Sequence, residues 1–298
     1  MALYLNYHLN IILNSFLIVY FIYVPLRKNK NMNKDILTKN NIKRSGKGKQ
    51  TIMFAHGYGC DQNMWRFITP AFEDEYDIIL FDYFGSGNSD SKEFNFDKYS
   101  SLQGYADDLI EICDELKLKD VILVAHSVSS MIGVLAVNQR PELFKSLIMI
   151  GPSPRYINDD TYHGGFSKND IEEMVGTLES NYLGWSSYIT PVIIGNPDKP
   201  EFASELNNSF CRLDPAIAKH FARVTFLSDN RDDLVKVETP TLIIQADPDV
   251  ISNVEVGKYV HEKIRNSSFT IIEASGHCPH LTSPEQTIKA IKEYLNKK

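Results

Sequence analysis

The stretch VILVAHSVSSMIGVLAVNQ, residues 121–139, carries the strongest indication of the fold. Its apolar first residues, 121–125, predict a buried β-strand, and residues 131–139 show the spacing of a helix. Ser127 stands between them, where a sharp strand-to-helix turn would present its hydroxyl. Such a turn requires small residues two positions before and after the serine, and Ala125 and Ser129 stand there instead of the usual glycines. Because an N-cap serine gives a similar pattern, its role depends on partners elsewhere.

Two further apolar runs end in residues that could work with Ser127. Asp249 follows the run 241–245 and His277 follows the run 268–274, each just past a predicted strand end. A nucleophilic serine needs an imidazole to accept its proton, and that imidazole needs a carboxylate to hold its tautomer. The chain order Ser, Asp, His is the one expected of α/β-hydrolases. We therefore predict a catalytic triad of Ser127, Asp249 and His277.

Each triad position has a rival in the sequence. Asp247 could replace Asp249 as the acid, because loop register is poorly defined by sequence. His126 adjoins the serine, but neighbours on an extended strand point to opposite sides. His280 lies on the same loop as His277 without a preceding glycine, which favours a packing role.

The oxyanion of the reaction should be held by two backbone N–H groups. One belongs to Val128, directly after the serine. The other lies in the loop His56-Gly57-Tyr58-Gly59, which follows the first buried strand, and Tyr58 is its expected donor. An ordinary glycine turn is the alternative interpretation of this loop.

Short apolar runs alternate with amphipathic helical stretches over most of the chain. Helical spacing is clear in residues 104–116 and 283–295. This alternation predicts an α/β protein with the α/β-hydrolase fold, a mainly parallel sheet with helices on both faces. The predicted strands are residues 51–55, 77–81, 121–125, 146–150, 241–245 and 268–272.

The alternation stops between residues 152 and 239. Four helical segments are predicted there, at 168–182, 184–194, 200–213 and 215–227, and the region is rich in aromatic residues. We interpret residues 152–239 as a four-helix lid inserted into a core formed by residues 32–151 and 240–298. Surplus aromatic side chains should form an apolar chamber above the serine.

The composition limits the kinds of partner that this protein can bind. Apolar residues make up 43% and charged residues 23% of the chain, as in ordinary globular proteins. Residues 1–49 hold nine basic and one acidic residue, which leaves 37 acidic and 22 basic residues in the remainder. So acidic a body would repel phosphate backbones, which excludes nucleic acid as a partner. The four cysteines show no disulfide or metal-ligand spacing, which favours the cytoplasm and predicts no metal and no cofactor.

The first 31 residues form an apolar and basic leader. Residues 9–26 are strongly apolar, at the short limit for spanning a bilayer, and basic residues follow. If this segment is a membrane anchor, the positive-inside rule puts the catalytic domain in the cytoplasm. Alternatively translation starts at Met32, the reading that we favour.

Several ungapped segments together resemble the RsbQ family of bacterial stress-response hydrolases, which are related to the plant karrikin and strigolactone receptors. The resemblance covers about residues 35–294, and residues 1–31 have no counterpart in it. It favours Asp249 over Asp247, because the family's acid precedes a short aliphatic run. The segments that carry it include MFAHGYGCDQNMW (53–65), ILFDYFGSGNSD (79–90), GYADDLIEICDEL (104–116) and GHCPHLTSPEQTI (276–288).

The resemblance implies a regulatory role. Members act with a PAS-domain serine phosphatase to activate the general stress sigma factor, so we expect such a phosphatase as partner. The expected ligand is a small hydrophobic ester, lactone or enol ether. A housekeeping esterase and a cofactor-free haloperoxidase remain alternatives, because both would use the same triad.

Overall fold

The computed structural model of the chain describes residues 34–297. The predicted leader, its candidate anchor at residues 9–26 and the candidate start at Met32 all lie outside that range. Within it, no helix is both long enough and apolar enough to cross a membrane.

Seven strands form one sheet within residues 34–297, in the order β1-β3-β2-β4-β5-β6-β7. Only the edge strand β1 is antiparallel to its neighbour β3, and the other pairs are parallel. The predicted fold class is confirmed. The strands are β1 (Lys43–Gly46), β2 (Gln50–Ala55), β3 (Tyr76–Leu80), β4 (Val121–His126), β5 (Phe144–Ile150), β6 (Thr241–Asp247) and β7 (Ser267–Glu273).

Helices cover both faces of this sheet. Met53 and Leu123 belong to a core shared with α2, α3 and α9, whereas their neighbours Phe54 and Val124 pack with α11 on the other face. Burial on both faces explains why the central strands read as continuous apolar runs. Outside residues 168–226, the helices of the described part of the chain are α1 (Lys34–Lys39), α2 (Leu102–Glu115), α3 (Val128–Gln139), α8 (Arg231–Leu234), α9 (Val254–Lys263), α10 (Pro279–Thr282) and α11 (Pro284–Leu295).

A helical insertion separates β5 from β6. Its helices are α4 (Lys168–Ser180), α5 (Tyr182–Ile194), α6 (Pro200–Arg212) and α7 (Pro215–Phe226), each within two residues of a predicted segment. Ser167 begins α4 with a capping box, accepting from the N–H of Asp170 while the Asp170 carboxylate accepts from the N–H of Ser167. Proline in the first turn of α6 and α7 helps to define where these helices begin.

Candidate active site

Ser127 sits on a strained turn between β4 and α3. Its backbone angles are φ 57° and ψ −124°, a combination that costs a residue with a side chain about 1–3 kcal/mol. The Ser127 N–H donates to the carbonyl of Ile150 at 2.9 Å, which ties the turn to β5. Ser129, in place of the expected glycine, donates from Oγ to the carbonyl of His56 and lies 2.9 Å from the Tyr83 hydroxyl. The departure from glycine therefore links the elbow to the loop after β2.

Three side chains from separate parts of the chain meet at this turn. His277 Nε2 lies 2.7 Å from Ser127 Oγ, and His277 Nδ1 lies 2.7 Å from Asp249 Oδ2. All three residues are buried, with exposed fractions of 7%, 4% and 5% for Ser127, His277 and Asp249. In this arrangement Nδ1–H donates to the carboxylate, which leaves Nε2 free to accept the serine proton.

The two candidate acids differ in their surroundings. Asp249 is buried after β6, where Oδ1 accepts hydrogen bonds from the N–H groups of Ile251 at 2.8 Å and Ser252 at 3.1 Å. Asp247 is the exposed last residue of β6. The structure thus brings Asp249, and not Asp247, to the histidine.

The loop that carries His277 is held by its backbone. Gly276 has φ 89°, and a Cβ there would stand 1.8 Å from the carbonyl oxygen of Ile194, so only glycine fits. The N–H of Gly276 donates to the Pro248 carbonyl at 2.8 Å, and that of His277 donates to the Ile193 carbonyl at 2.8 Å. The histidine loop is therefore bonded both to the Asp249 loop and to the last turn of α5.

Tyr58, one predicted oxyanion donor, lines the same cavity as Ser127, and Val128, the other, directly follows that serine. Among residues 34–297, neither backbone N–H donates a hydrogen bond to another residue. Val128 is the first residue of α3, where the helix dipole favours negative charge. Gly57 allows the two segments to approach, because a Cβ there would lie 2.7 Å from His126 Nδ1 and 3.3 Å from Ser127 Cβ.

A cavity of about 200 Å³ opens above Ser127 and His277. Its walls are mostly apolar, and they include Met174, Ile189, Leu206 and Ile251. Of the ten aromatic residues in the insertion, three line this cavity: Tyr156, Phe166 and Phe226. Of the others, Trp185, Phe210 and Phe221 pack edge-to-face around the Tyr58 ring, whereas Tyr188 is 73% exposed.

One tyrosine hydroxyl adds polarity to this apolar wall. Tyr156 lines the cavity and is 2% exposed. Burial raises the Tyr156 pKa to about 12, against the opposing effect of a hydrogen bond with Ser127. The Tyr156 phenol is therefore neutral at physiological pH.

Sequence reasoning missed a group behind the histidine. His126, expected to point away, is buried, and its Nε2 lies 2.7 Å from the main-chain oxygen of His277. His280 packs against His126 and Trp65, with ring centroids 4.4 and 4.7 Å away. Cys278 completes this group, although no ligand spacing was predicted for any cysteine. The available signal was the Cys-x-His pair at 278 and 280, but its partner His126 is distant in sequence.

The comparisons with known proteins agree on one family. Residues 50–284, which include all three triad positions, match the family described as the alpha/beta hydrolase fold. The karrikin insensitive 2 receptor CA of Petunia hybrida is 36% identical over 86% of this chain and 96% of the receptor. Strigolactone esterase D14 of Arabidopsis thaliana is 36% identical over 88% of this chain and 98% of the esterase. A solved hydrolase from Oleispira antarctica is 41% identical with a TM-score of 0.87, covering 90% of this chain and 98% of that one.

Proposed function

The chain belongs to the alpha/beta hydrolase family, and from this premise we propose that it hydrolyses a compact, apolar ester or lactone through an acyl-Ser127 intermediate. The observation that carries the proposal is the buried hydrogen-bond chain from Ser127 Oγ through His277 to Asp249, with both contacts at 2.7 Å. A serine paired in this way with an oriented imidazole is the arrangement required of an activated nucleophile.

The first half of the reaction forms the acyl-enzyme. Ser127 Oγ attacks the carbonyl carbon while its proton passes to His277 Nε2. The carbonyl oxygen becomes an oxyanion that accepts from the N–H groups of Tyr58 and Val128. His277 then gives its proton to the oxygen of the leaving group, the bond from the carbonyl carbon to that oxygen breaks, and the alcohol departs or, in a lactone, stays attached to the acyl group.

The second half regenerates the serine. His277 takes a proton from a water molecule, and the resulting hydroxide attacks the acyl carbon. The bond from that carbon to Ser127 Oγ breaks as His277 returns its proton to Oγ. The products are the free acid and the original triad, so no oxidant or cofactor is required.

The cavity indicates the substrate class. A volume of about 200 Å³ with largely apolar walls favours small apolar groups over long chains. An ionised group at these walls would lose its hydration without gaining a partner. We propose that α4–α7 act as a lid over this cavity, since Met174 of α4, Ile189 of α5 and Leu206 of α6 all line it.

The test combines covalent labelling with an ester series. A fluorophosphonate should label the wild-type chain and fail to label Ser127→Ala. Turnover of p-nitrophenyl acetate should exceed that of p-nitrophenyl laurate, because the laurate chain does not fit the cavity. Labelling that persists in Ser127→Ala would refute the assignment of the nucleophile, and faster turnover of laurate would refute the substrate class.

We further propose that hydrolysis serves regulation of the general stress sigma factor together with a PAS-domain serine phosphatase in the cytoplasm. Two points support this: the resemblance of the sequence segments to the RsbQ family, and the description of a 36% identical relative as a receptor. In such a switch, the phosphatase would read the surface of the helical insertion when the cavity is occupied.

Charge reversal on the insertion tests this role. Glu173 on α4 and Glu201 on α6 are exposed on the insertion. Glu262 on α9 is equally exposed but lies outside the insertion, so it serves as the matched control. Glu173→Lys with Glu201→Lys should abolish activation of the phosphatase while p-nitrophenyl acetate turnover is retained. Glu262→Lys should leave activation intact. If activation survives a set of such insertion variants, the protein is an esterase without this output.

A further inference from the structure

Three potential metal ligands converge directly behind the catalytic histidine. His126 ends β4, whereas Cys278 and His280 lie at the start of α10. One ligand atom from each lies within 4.8 Å of the other two. The exposed fractions of His126, Cys278 and His280 are 2%, 1% and 0%. This cluster therefore lies in the interior, unlike the surface groupings of polar residues that are common in proteins.

The histidines of this cluster have ring nitrogens without partners. Among residues 34–297, both nitrogens of His280 and Nδ1 of His126 make no hydrogen bond. A buried polar atom left unsatisfied costs about 1–3 kcal/mol, so the one nitrogen of each neutral imidazole that carries a free lone pair favours a ligand. Burial also lowers both pKa values, that of His126 well below its ordinary value and that of His280 to about 3. Both imidazoles are thus neutral at physiological pH, the form that binds metals.

Two opposite charges act on the cluster, the Asp249 carboxylate on Cys278 and the Arg66 guanidinium on His280. The Cys278 pKa is raised, first by burial and then by the carboxylate of Asp249, so the thiol keeps its proton until a cation replaces it. On binding, that proton leaves to solvent, and the thiolate and Asp249 together offset the charge of the metal. Because His126 and Cys278 both line the cavity, a cation can approach from there.

We propose that His126, Cys278 and His280 form an inhibitory site for Zn²⁺. Two imidazoles and one thiolate are ligands that Zn²⁺ prefers, with a fourth position open towards the cavity. In a tetrahedral zinc site, ligand atoms lie roughly 3.4–3.6 Å apart. The three donors, now up to 4.8 Å apart, must therefore draw together around the ion.

That closure is the cause of the proposed inhibition. Cys278 is the sequence neighbour of His277, and His126 is the neighbour of Ser127. Drawing the two loops together shifts the 2.7 Å contact between His277 Nε2 and Ser127 Oγ, and a shift of about 1 Å at a reacting group can cost about 10²-fold in rate. The inhibition rests on the proposed hydrolase function, whereas metal binding does not.

Metal binding can be tested apart from catalysis with Co²⁺, which gives a charge-transfer absorption when a thiolate ligates it. The full-length Ser127→Ala chain should develop this band at one equivalent of Co²⁺, and Zn²⁺ should displace it. Adding Cys278→Ala should remove the band. Adding Cys113→Ala, at another buried free cysteine, or Cys211→Ala, at the exposed one, should leave it unchanged. A band that survives Cys278→Ala, or one that never forms, would overturn the site.

Inhibition is then measured in chains with an intact Ser127, each compared with its own metal-free rate. Zn²⁺ should inhibit ester hydrolysis, and Cys278→Ala and His280→Gln should each raise the Zn²⁺ concentration for half-inhibition by about 100-fold. Cys113→Ala should not change it. If Zn²⁺ inhibits all four proteins equally, the metal binds His277 and Asp249 instead, and the proposed site is wrong. If no ester is hydrolysed at all, the proposed function fails while the Co²⁺ result still decides the site.

Discussion

Replacing Asp249 by asparagine should invert the hydrogen bonding of the triad without unfolding the loop. In the present structure Oδ1 of Asp249 accepts from the N–H groups of Ile251 and Ser252, while Oδ2 accepts from His277 Nδ1. An asparagine would keep its oxygen on the two N–H groups, so its NH₂ would face His277. The imidazole must then accept at Nδ1 and carry its proton on Nε2. In that tautomer Nε2 cannot take the proton of Ser127.

The expected loss is about 10⁴-fold in kcat/KM, the size known for the equivalent change in a serine protease, or about 5.5 kcal/mol of transition-state stabilisation. The assay is p-nitrophenyl acetate hydrolysis together with the rate of fluorophosphonate labelling. Thermal unfolding serves as a check that the loop is intact. Asp247→Asn is the matched control, and it should change kcat/KM less than twofold because Asp247 is exposed and lies outside the triad. Equal losses in the two variants, or a larger loss in Asp247→Asn, would refute this account of the acid.

Three further predictions follow from the same structure. Ser127→Gly should raise the free energy of unfolding by about 1 kcal/mol, because glycine adopts φ 57° without a Cβ clash. Chemical denaturation measures this change, and a destabilised glycine variant would show that the turn is not strained. Burial lowers the pKa of His280 from 6.5 to about 3 in the folded chain. Below pH 6.5 the unfolded chain therefore binds a proton at His280 that the folded chain does not bind, so the free energy of unfolding decreases as the pH is lowered. Between pH 6.5 and 5 this group should cost about 2 kcal/mol, and His280→Gln should flatten the pH dependence of denaturant unfolding by that amount; an unchanged slope contradicts the burial argument. A chain that begins at Met32 should remain soluble and fully active in the ester assay, because the triad and the cavity lie within residues 34–297. If the shortened protein is inactive, residues 1–31 contribute to the folded enzyme.

The strands and helices that the sequence predicted are those with strong periodicity. The strands β2 to β6 were found because burial on both faces demands continuous apolar runs. The edge strand β7 is only partly buried and was found from its own apolar run. The edge strand β1 was missed because its residues, Lys43-Arg-Ser-Gly46, are polar. Its pairing is helped by Arg44, whose guanidinium lies 2.7 Å from Asp77 of β3, a contact that no local pattern encodes.

Within the site, the sequence predicted residue types at strand ends better than contacts made at a distance. Ser127, Asp249 and His277 follow predicted strands, so their convergence could be anticipated from parallel topology. The position of His126 could not, because it depends on how the loop of His277 returns across the end of β4. The sequence also could not tell which aromatic residues of the insertion line the cavity and which pack around Tyr58, since both groups are hydrophobic.

Because the His277 N–H donates to the Ile193 carbonyl, the proposed general base is tied directly to the wall of the cavity. Ile193 also lines the cavity, so a ligand that displaces α5 pulls on the backbone of the histidine. Through the same bond, any displacement of His277 during the proposed acylation of Ser127 would be transmitted to the end of α5. Substitutions in α5 that broaden the range of substrates should therefore also change the turnover number, and selection on this helix cannot adjust specificity and rate independently.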